Sequence, residues 1–439
     1  MIFVDDAVIG IKDPREYRHL RVLRTSLRLL GAWPGHYLGE ETGSKYECAP
    51  MFLLMFIKIA CLYLTIVYLR NNADVLGFFE LGHVYLTIFM TFVTLSRGFS
   101  LTWNPNYHKV VKKFITEMHL LYFKDNSEYA MKTHRRVHKI SHFYTVFLKV
   151  QMIAGLTLFN VIPMYNNYRQ GNYASDRPAN ITYDLSIYYE TFDILNTPNG
   201  YIFICVFNWF ASYICCSFFC SFDLILSLMI STVSGHFRIL IHNLLTFPLP
   251  EAITASKKFV DKHRCNGNRS EFVLEEAKLY SPAEMWQVTD RLRQCIDYHR
   301  KLVEFTGDIS EAFGPMLFVY YLFHQVSGCL LLLECSQLNT AALVRYGVLT
   351  VVLYQQLIQL SVIVESVGTV TGRLKDAVYE VPWEYMDTSN RKTVAIFLMN
   401  VQEPLHVNAL GLAKVGVQSM AAILKTSFSY FTFLRTVSE

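Results

Sequence analysis

The sequence predicts an all-α membrane protein with seven transmembrane helices, its N-terminus cytosolic and its C-terminus extracellular. Three observations predict this. Apolar residues make up 52% of the 439 residues and charged residues only 17%, against a usual ~25%. Mean hydropathy is +0.24. Apolar stretches of membrane-spanning length, ~20 residues, recur along the chain. This composition excludes disordered, coiled-coil and disulfide-scaffold proteins and argues against an ordinary cytosolic enzyme. A net charge of +4 is too small to point to nucleic-acid binding.

The spans follow in order. Residues 49–69 are apolar except for Lys58, 76–96 carry one acid, Glu80, and 141–166 carry one base, Lys149. Residues 194–222, 312–333 and 346–364 carry no charge. A seventh stretch, roughly 406–434, includes Lys414 and Lys425 and is the least lipid-like. Lys414 and Lys425 are eleven residues apart, which on a helix puts them on one face and makes that face wet. Between the spans, 31 Lys and Arg fall in one set of alternate segments and 5 in the other. The basic set lies in the cytosol, which sets the orientation. It places the sequon at Asn180 outside, as a glycosylation acceptor, and the sequon at Asn268 inside. The ten cysteines offer no extracellular pair and read as packing residues.

The cytosolic parts have their own patterns. Residues 1–48 form a tail in which Leu20, Leu23, Leu27 and Leu30 make an apolar stripe flanked by Arg18, Arg21, Arg24 and Arg28, a basic amphipathic helix for the membrane surface. Residues 105–140 read as helical. His134, His138 and His142 share a face there, but Arg135, Arg136 and Lys139 surround them, and a solvated basic face is expected rather than a metal site. Asn104-Pro-Asn-Tyr107 reads as a turn, 246–282 as a charged loop, and 283–311 as a helix continuing into the fifth span.

No catalytic motif is present, so no enzyme activity, catalytic residue, metal or cofactor is expected. What remains is the aromatic character of the outer membrane halves. Phe79 and His83 on span 2, Gly155 and Phe159 on span 3, Phe207 and Tyr213 on span 4, and Val351 and Tyr354 on span 6 form walls with few polar handles, suited to a small apolar ligand. Interfacial belts and core packing are the competing explanation. The last span, apolar on one side and hydroxyl-bearing on the other, can line a conduit only if several subunits combine.

The C-terminal third resembles a known family. Val381-Pro-Trp383, Arg391-Lys392, Gln402-Glu-Pro404, Gly411 and the run from Lys425 to Arg435 resemble the insect odorant receptors, and the tail Ser429-Tyr-Phe-Thr-Phe-Leu-Arg435 is similar to ligand-tuned subunits rather than to the shared co-receptor. The resemblance implies a subunit of a tetrameric, odorant-gated, non-selective cation channel in the plasma membrane of olfactory sensory neurons. It implies a heterotetramer with co-receptor subunits, a small volatile ligand held in the outer half among spans 2, 3, 4 and 6, and contact with membrane lipid but not nucleic acid. On this pattern residues 1–48 are the cytosolic tail and 49–365 carry spans 1–6 with the pocket. Residues 366–405 are a cytosolic anchor, and 406–439 are the pore-lining helix and short outer tail. Phe433 and Val437 fall at an apolar constriction, with Tyr430 and Thr426 one and two turns inward; Phe433 is bulkier than the aliphatic residue common there. The alternatives are a gustatory-type channel of the same fold, a metabotropic receptor, or a carrier.

Overall fold

A computed structural model of the chain describes residues 10–40, 46–173, 183–191, 194, 197–251, 253, 279–335, 346–411 and 413–438. Asn180 and Asn268 lie outside the described residues, as does most of the 246–282 loop.

The chain is helical almost throughout. An amphipathic helix α1 (Arg18–Leu29) precedes α2 (Ala49–Asn72) and α3 (Phe78–Trp103), and then come α4 (Pro105–Thr116) and α5 (Glu128–Arg169). Next are α6 (Pro198–Leu245), α7 (Pro282–Cys335) and α8 (Val348–Thr371), short α9 (Leu374–Tyr379) and α10 (Thr388–Asn400), and last α11 (Val417–Ser438). Six helices among the described residues are long and apolar enough to cross a membrane, namely α2, α3, α5, α6, α7 and α8. The 22 residues of α11 span about 33 Å, enough for a bilayer core, but it carries Lys425, Arg435 and several hydroxyls.

Helices α5, α6 and α7 have 42, 48 and 54 residues, so they run for about 63, 72 and 81 Å, twice a bilayer core or more. Their charged halves project beyond the apolar zone at one end, where α1, α4, α9 and α10 pack on them. Helix α6 sits at the centre, with most of its apolar window enclosed, whereas α2 and α5 leave most of theirs facing outward.

Four expectations need correction. The seventh helix begins at Val417, not near 406. Before it, Asn408–Ala409 (β1) pairs antiparallel with Ala413–Lys414 (β2) as a two-stranded hairpin. Its turn holds Leu410 and Gly411 at φ +55° and +70°, which favours glycine at 411, and it packs so close to α7 that a Cβ on Gly314 would meet the Asn408 carbonyl at 3.0 Å. Lys414 is therefore on a strand and shares no helical face with Lys425.

The stripe of α1 does not lie in lipid. Leu20, Leu23 and Leu27 are buried in the protein, with α1 packed on α5 and α6. The three residues Arg15, Arg24 and Arg28 converge on Glu40 at 3.5, 2.7 and 2.5 Å, tying the tail back on itself. Asn104-Pro-Asn-Tyr107 is a helix start rather than a free turn. The Asn104 side chain accepts from the Asn106 N–H, and Pro105 takes the first helical position, where no N–H is needed. Finally, His134 and His138 are not on a solvated face. With His19 and His119 they enclose the ring of Tyr17, at ring-centroid distances of 4.8–5.8 Å, and the Tyr17 hydroxyl bonds His134 Nε2 at 2.9 Å. The tyrosine occupies the space a metal would need. Among the described residues no group of three or more His, Cys, Asp or Glu is placed to hold one.

Candidate ligand cavity and last helix

Between α2, α3, α5, α6 and α8 lies a cavity of about 90 Å³. Thr87, Met90 and Thr91 of α3 line it at one-turn steps, as do Gln151, Met152, Gly155 and Phe159 of α5. Ser212, Cys215, Cys216, Phe219 and Cys220 come from α6, Leu349, Val352, Leu353 and Gln356 from α8, and Lys58 from α2. The segment before α6 adds Ile187 as a roof. That segment is held by hydrogen bonds rather than by secondary structure. Asn208 Nδ2 donates to the Ile187 carbonyl at 3.1 Å, Ser186 Oγ to Asn160 at 2.9 Å, and the Glu190 N–H to the Leu64 carbonyl at 3.1 Å.

Of the eight residues expected to hold a ligand, Gly155 and Phe159 line the cavity. A Cβ on Gly155 would meet nothing within 4 Å, so its missing side chain is open volume. His83 sits one turn above Thr87, buried, with its ring stacked on Phe159 and its Nε2 at 3.0 Å from the Ser186 carbonyl; it braces wall and roof. Phe207 is half-buried against Tyr189. Tyr213 is 37% exposed and Val351 68%, so both face out of the bundle. Tyr354 points to another interface. Its hydroxyl and that of Ser427 crowd the place where a Cβ of Gly328 would be, at 2.7 and 2.9 Å, and its ring stacks on Phe428 of α11. Phe79 lies in the first turn of α3; the described residues do not include its side chain.

Two polar groups of the lining gave no sequence signal as a pair. Lys58 is 3% exposed and donates to the Ala211 carbonyl at 2.8 Å, while Ser212, the next residue, is buried without a hydrogen-bond partner. Lys58 stood out as a lone charge in an apolar span, but only packing brings it to α6.

The last helix turns Ser427 and Ile423 into the bundle, against α7 and α8. Tyr430 and Phe433 point outward, at 56% and 63% exposure, and Thr426 lies between. Val437 is in the final turn, and the described residues do not include its side chain. Hydroxyls of Thr426, Ser429, Thr432 and Thr436 bond carbonyls one turn back, so the polar residues are satisfied within the helix. The start of α11 is pinned by Glu365 of α8, whose carboxylate accepts from the Val417 N–H at 3.2 Å.

A bundle of membrane-length apolar helices with a small internal cavity and long charged extensions defines a polytopic membrane protein. The family model of the 7tm odorant receptors matches residues 78–428. The chain belongs to that family. Among curated relatives, odorant receptor 13a of Drosophila melanogaster is 26% identical over 165 residues, 34% of this chain and 39% of that protein. Odorant receptor Or2 of Anopheles gambiae is 22% identical over 152 residues, 33% of this chain and 39% of that protein. The chain thus aligns with about two-fifths of the length of these relatives. The solved structure of the insect olfactory receptor OR5 from Machilis hrabei superposes with a TM-score of 0.73 at 13% identity, covering 96% of this chain and 99% of that one. Its complex with eugenol superposes with a TM-score of 0.71. At that identity the likeness shows the fold.

Proposed function

We propose that the chain is a ligand-tuned subunit of an odorant-gated, non-selective cation channel of the plasma membrane of olfactory sensory neurons, assembled with co-receptor subunits into a heterotetramer. One observation carries this reading. The helix that walls the cavity, α8, also packs on the last helix, through Tyr354 against Phe428 and Glu365 against Val417. A ligand wedged against Leu353 and Gln356 therefore presses on an element that touches α11 directly. A eugenol complex of an insect olfactory receptor of the same fold supports the binding of a small molecule.

The ligand is a small volatile molecule held against Gly155 and Phe159, with His83 and Phe207 around and above it and Tyr213 and Val351 outside. Thr426, Tyr430, Phe433 and Val437 recur at three- or four-residue steps, and four copies of such a stripe around an axis form a ring that blocks ions by dewetting. The exposed Tyr379, Ile396 and Met399 at the charged end, outside the membrane zone, support a subunit interface there.

The test is whole-cell current on co-expression with a co-receptor subunit. Ligand-evoked current without added nucleotide, appearing only with the co-receptor, is expected. Gly155→Leu adds a side chain at the cavity lining, where a Cβ meets nothing within 4 Å, and should raise the half-maximal ligand concentration at least about tenfold at normal surface density. Current that needs a nucleotide-dependent cascade overturns the channel reading, and unchanged potency in Gly155→Leu removes the cavity from it.

A further inference from the structure

We propose that the cavity takes a small carboxylic acid, its carboxylate held by the Lys58 ammonium and the Ser212 hydroxyl. This rests on the ligand-binding reading of the cavity and names the chemistry of its occupant. Lys58 is the tenth residue of a 24-residue helix, about 14 Å from one end and 21 Å from the other. That is too deep for the side chain to reach the bilayer surface. Its Nζ donates to the Ala211 carbonyl, which uses one of three N–H bonds. Among the described residues Lys58 forms no ion pair, and no Asp or Glu lines the cavity it faces.

A cation in hydrocarbon is costly unless a counter-charge or water compensates it. Beside it, Ser212 is 4% exposed, lines the same cavity and has no hydrogen-bond partner. A donor cation from α2 and an idle hydroxyl from α6 line the same cavity, and Lys58 bonds the carbonyl of the residue next to Ser212. A carboxylate supplies the missing negative charge and two acceptor oxygens at once. A neutral aldehyde would satisfy a hydrogen bond but not the charge, and an alkane would satisfy neither. Elsewhere in the lining, Met90, Met152, Phe159 and Leu353 offer apolar surface for a short tail.

The test uses the full chain co-expressed with a co-receptor subunit and three five-carbon probes, pentanoic acid, pentanal and pentane, at neutral pH. The acid is expected to be the most potent. Lys58→Met should weaken it by about tenfold or more, as the loss of a charge-assisted bond predicts, and change pentane by less than about twofold. Lys58→Arg should keep the acid preference. Ser212→Ala should weaken the acid about threefold at normal surface density, so the inference is testable even if Lys58→Met fails to reach the membrane. Absence of acid preference, equal loss for all three probes, or an unchanged acid response in the variants overturns it.

Thermal stabilisation of the purified protein separates the two readings. Acid-specific stabilisation lost in Lys58→Met, without any evoked current, sustains the ligand chemistry and overturns the channel. Currents indifferent to Lys58 do the reverse.

Discussion

Arg97 and Asp223 meet at 3.0 Å at the depth where the charged halves of the long helices begin. Arg97 is 1% exposed. It also donates to the Phe218 and Phe219 carbonyls and lies over the Phe219 and Tyr320 rings at 4.4 and 5.1 Å, so one side chain joins α3, α6 and α7. Removing one member of a buried pair leaves the other charge uncompensated, at about 3–5 kcal/mol. Arg97→Met or Asp223→Leu should therefore abolish surface expression, and the double variant should recover part of it, as surface biotinylation would reveal.

The histidines around Tyr17 make a second residue-scale case. Burial pushes His134 down to about 4, with His138, Lys124 and Arg135 adding repulsion. Burial and the neighbouring histidines hold His19 and His119 well below their usual ~6.5. The folded state refuses protons that the unfolded chain binds below ~6.5, so stability falls as pH falls through that value and keeps falling to about 4. Melting of the detergent-solubilised protein should drop across that window. His134→Gln should flatten the drop by about one proton's worth of slope; a parallel, unflattened drop would assign it elsewhere.

At the scale of elements, α8 and α11 meet through small and aromatic surfaces. Tyr354 stacks on Phe428, and Gly328 of α7 leaves room for the Tyr354 and Ser427 hydroxyls. Because Tyr354 faces this junction rather than the cavity, Tyr354→Ala should lower maximal current more than it shifts half-maximal concentration. A pure potency shift would return Tyr354 to the pocket. Gly328→Ala puts a methyl 2.7 Å from the tyrosine oxygen and should act in the same direction. Glu365→Gln keeps the bond to Val417 N–H and should be mild, whereas Glu365→Ala should loosen the start of α11 and raise resting current.

The whole molecule carries three further predictions. With basic residues gathered on one side, a C-terminal tag should be labelled on intact cells and an N-terminal tag should not. Enzymatic deglycosylation should shift the wild-type band but not that of Asn180→Gln. In the assembled channel, Val437→Cys should react with a thiol reagent faster when ligand is present, and Phe433→Ala should raise resting current or alter selectivity. Indifference at both positions would remove this subunit's last helix from the gate. One chain supplies only part of the ring, so the effects should be partial.

Much was legible before any packing was known. Span lengths follow from the bilayer's thickness. Phe159 and Gly155 were legible as wall and gap because their helix presents one aromatic and one small residue a turn apart. Tyr213, Val351 and Tyr354 were not, because a helix that is apolar all round has no pattern to say which side faces lipid, partner or cavity. The spans drawn at 96 and 222 stopped where charge begins, one residue short of the Arg97–Asp223 pair, since a charge alone does not reveal that another helix brings its partner. The same holds for His134 and His138, which read as a solvated face until Tyr17, more than a hundred residues away in sequence, closed over them. Sequence by itself located the six long apolar helices, because membrane-length apolar runs depend on local transfer free energy. Only the tertiary structure decided where Lys58 meets α6, which face of α8 touches the last helix, and where that helix begins. Those depend on which distant side chains share a volume, and chain order does not encode that locally.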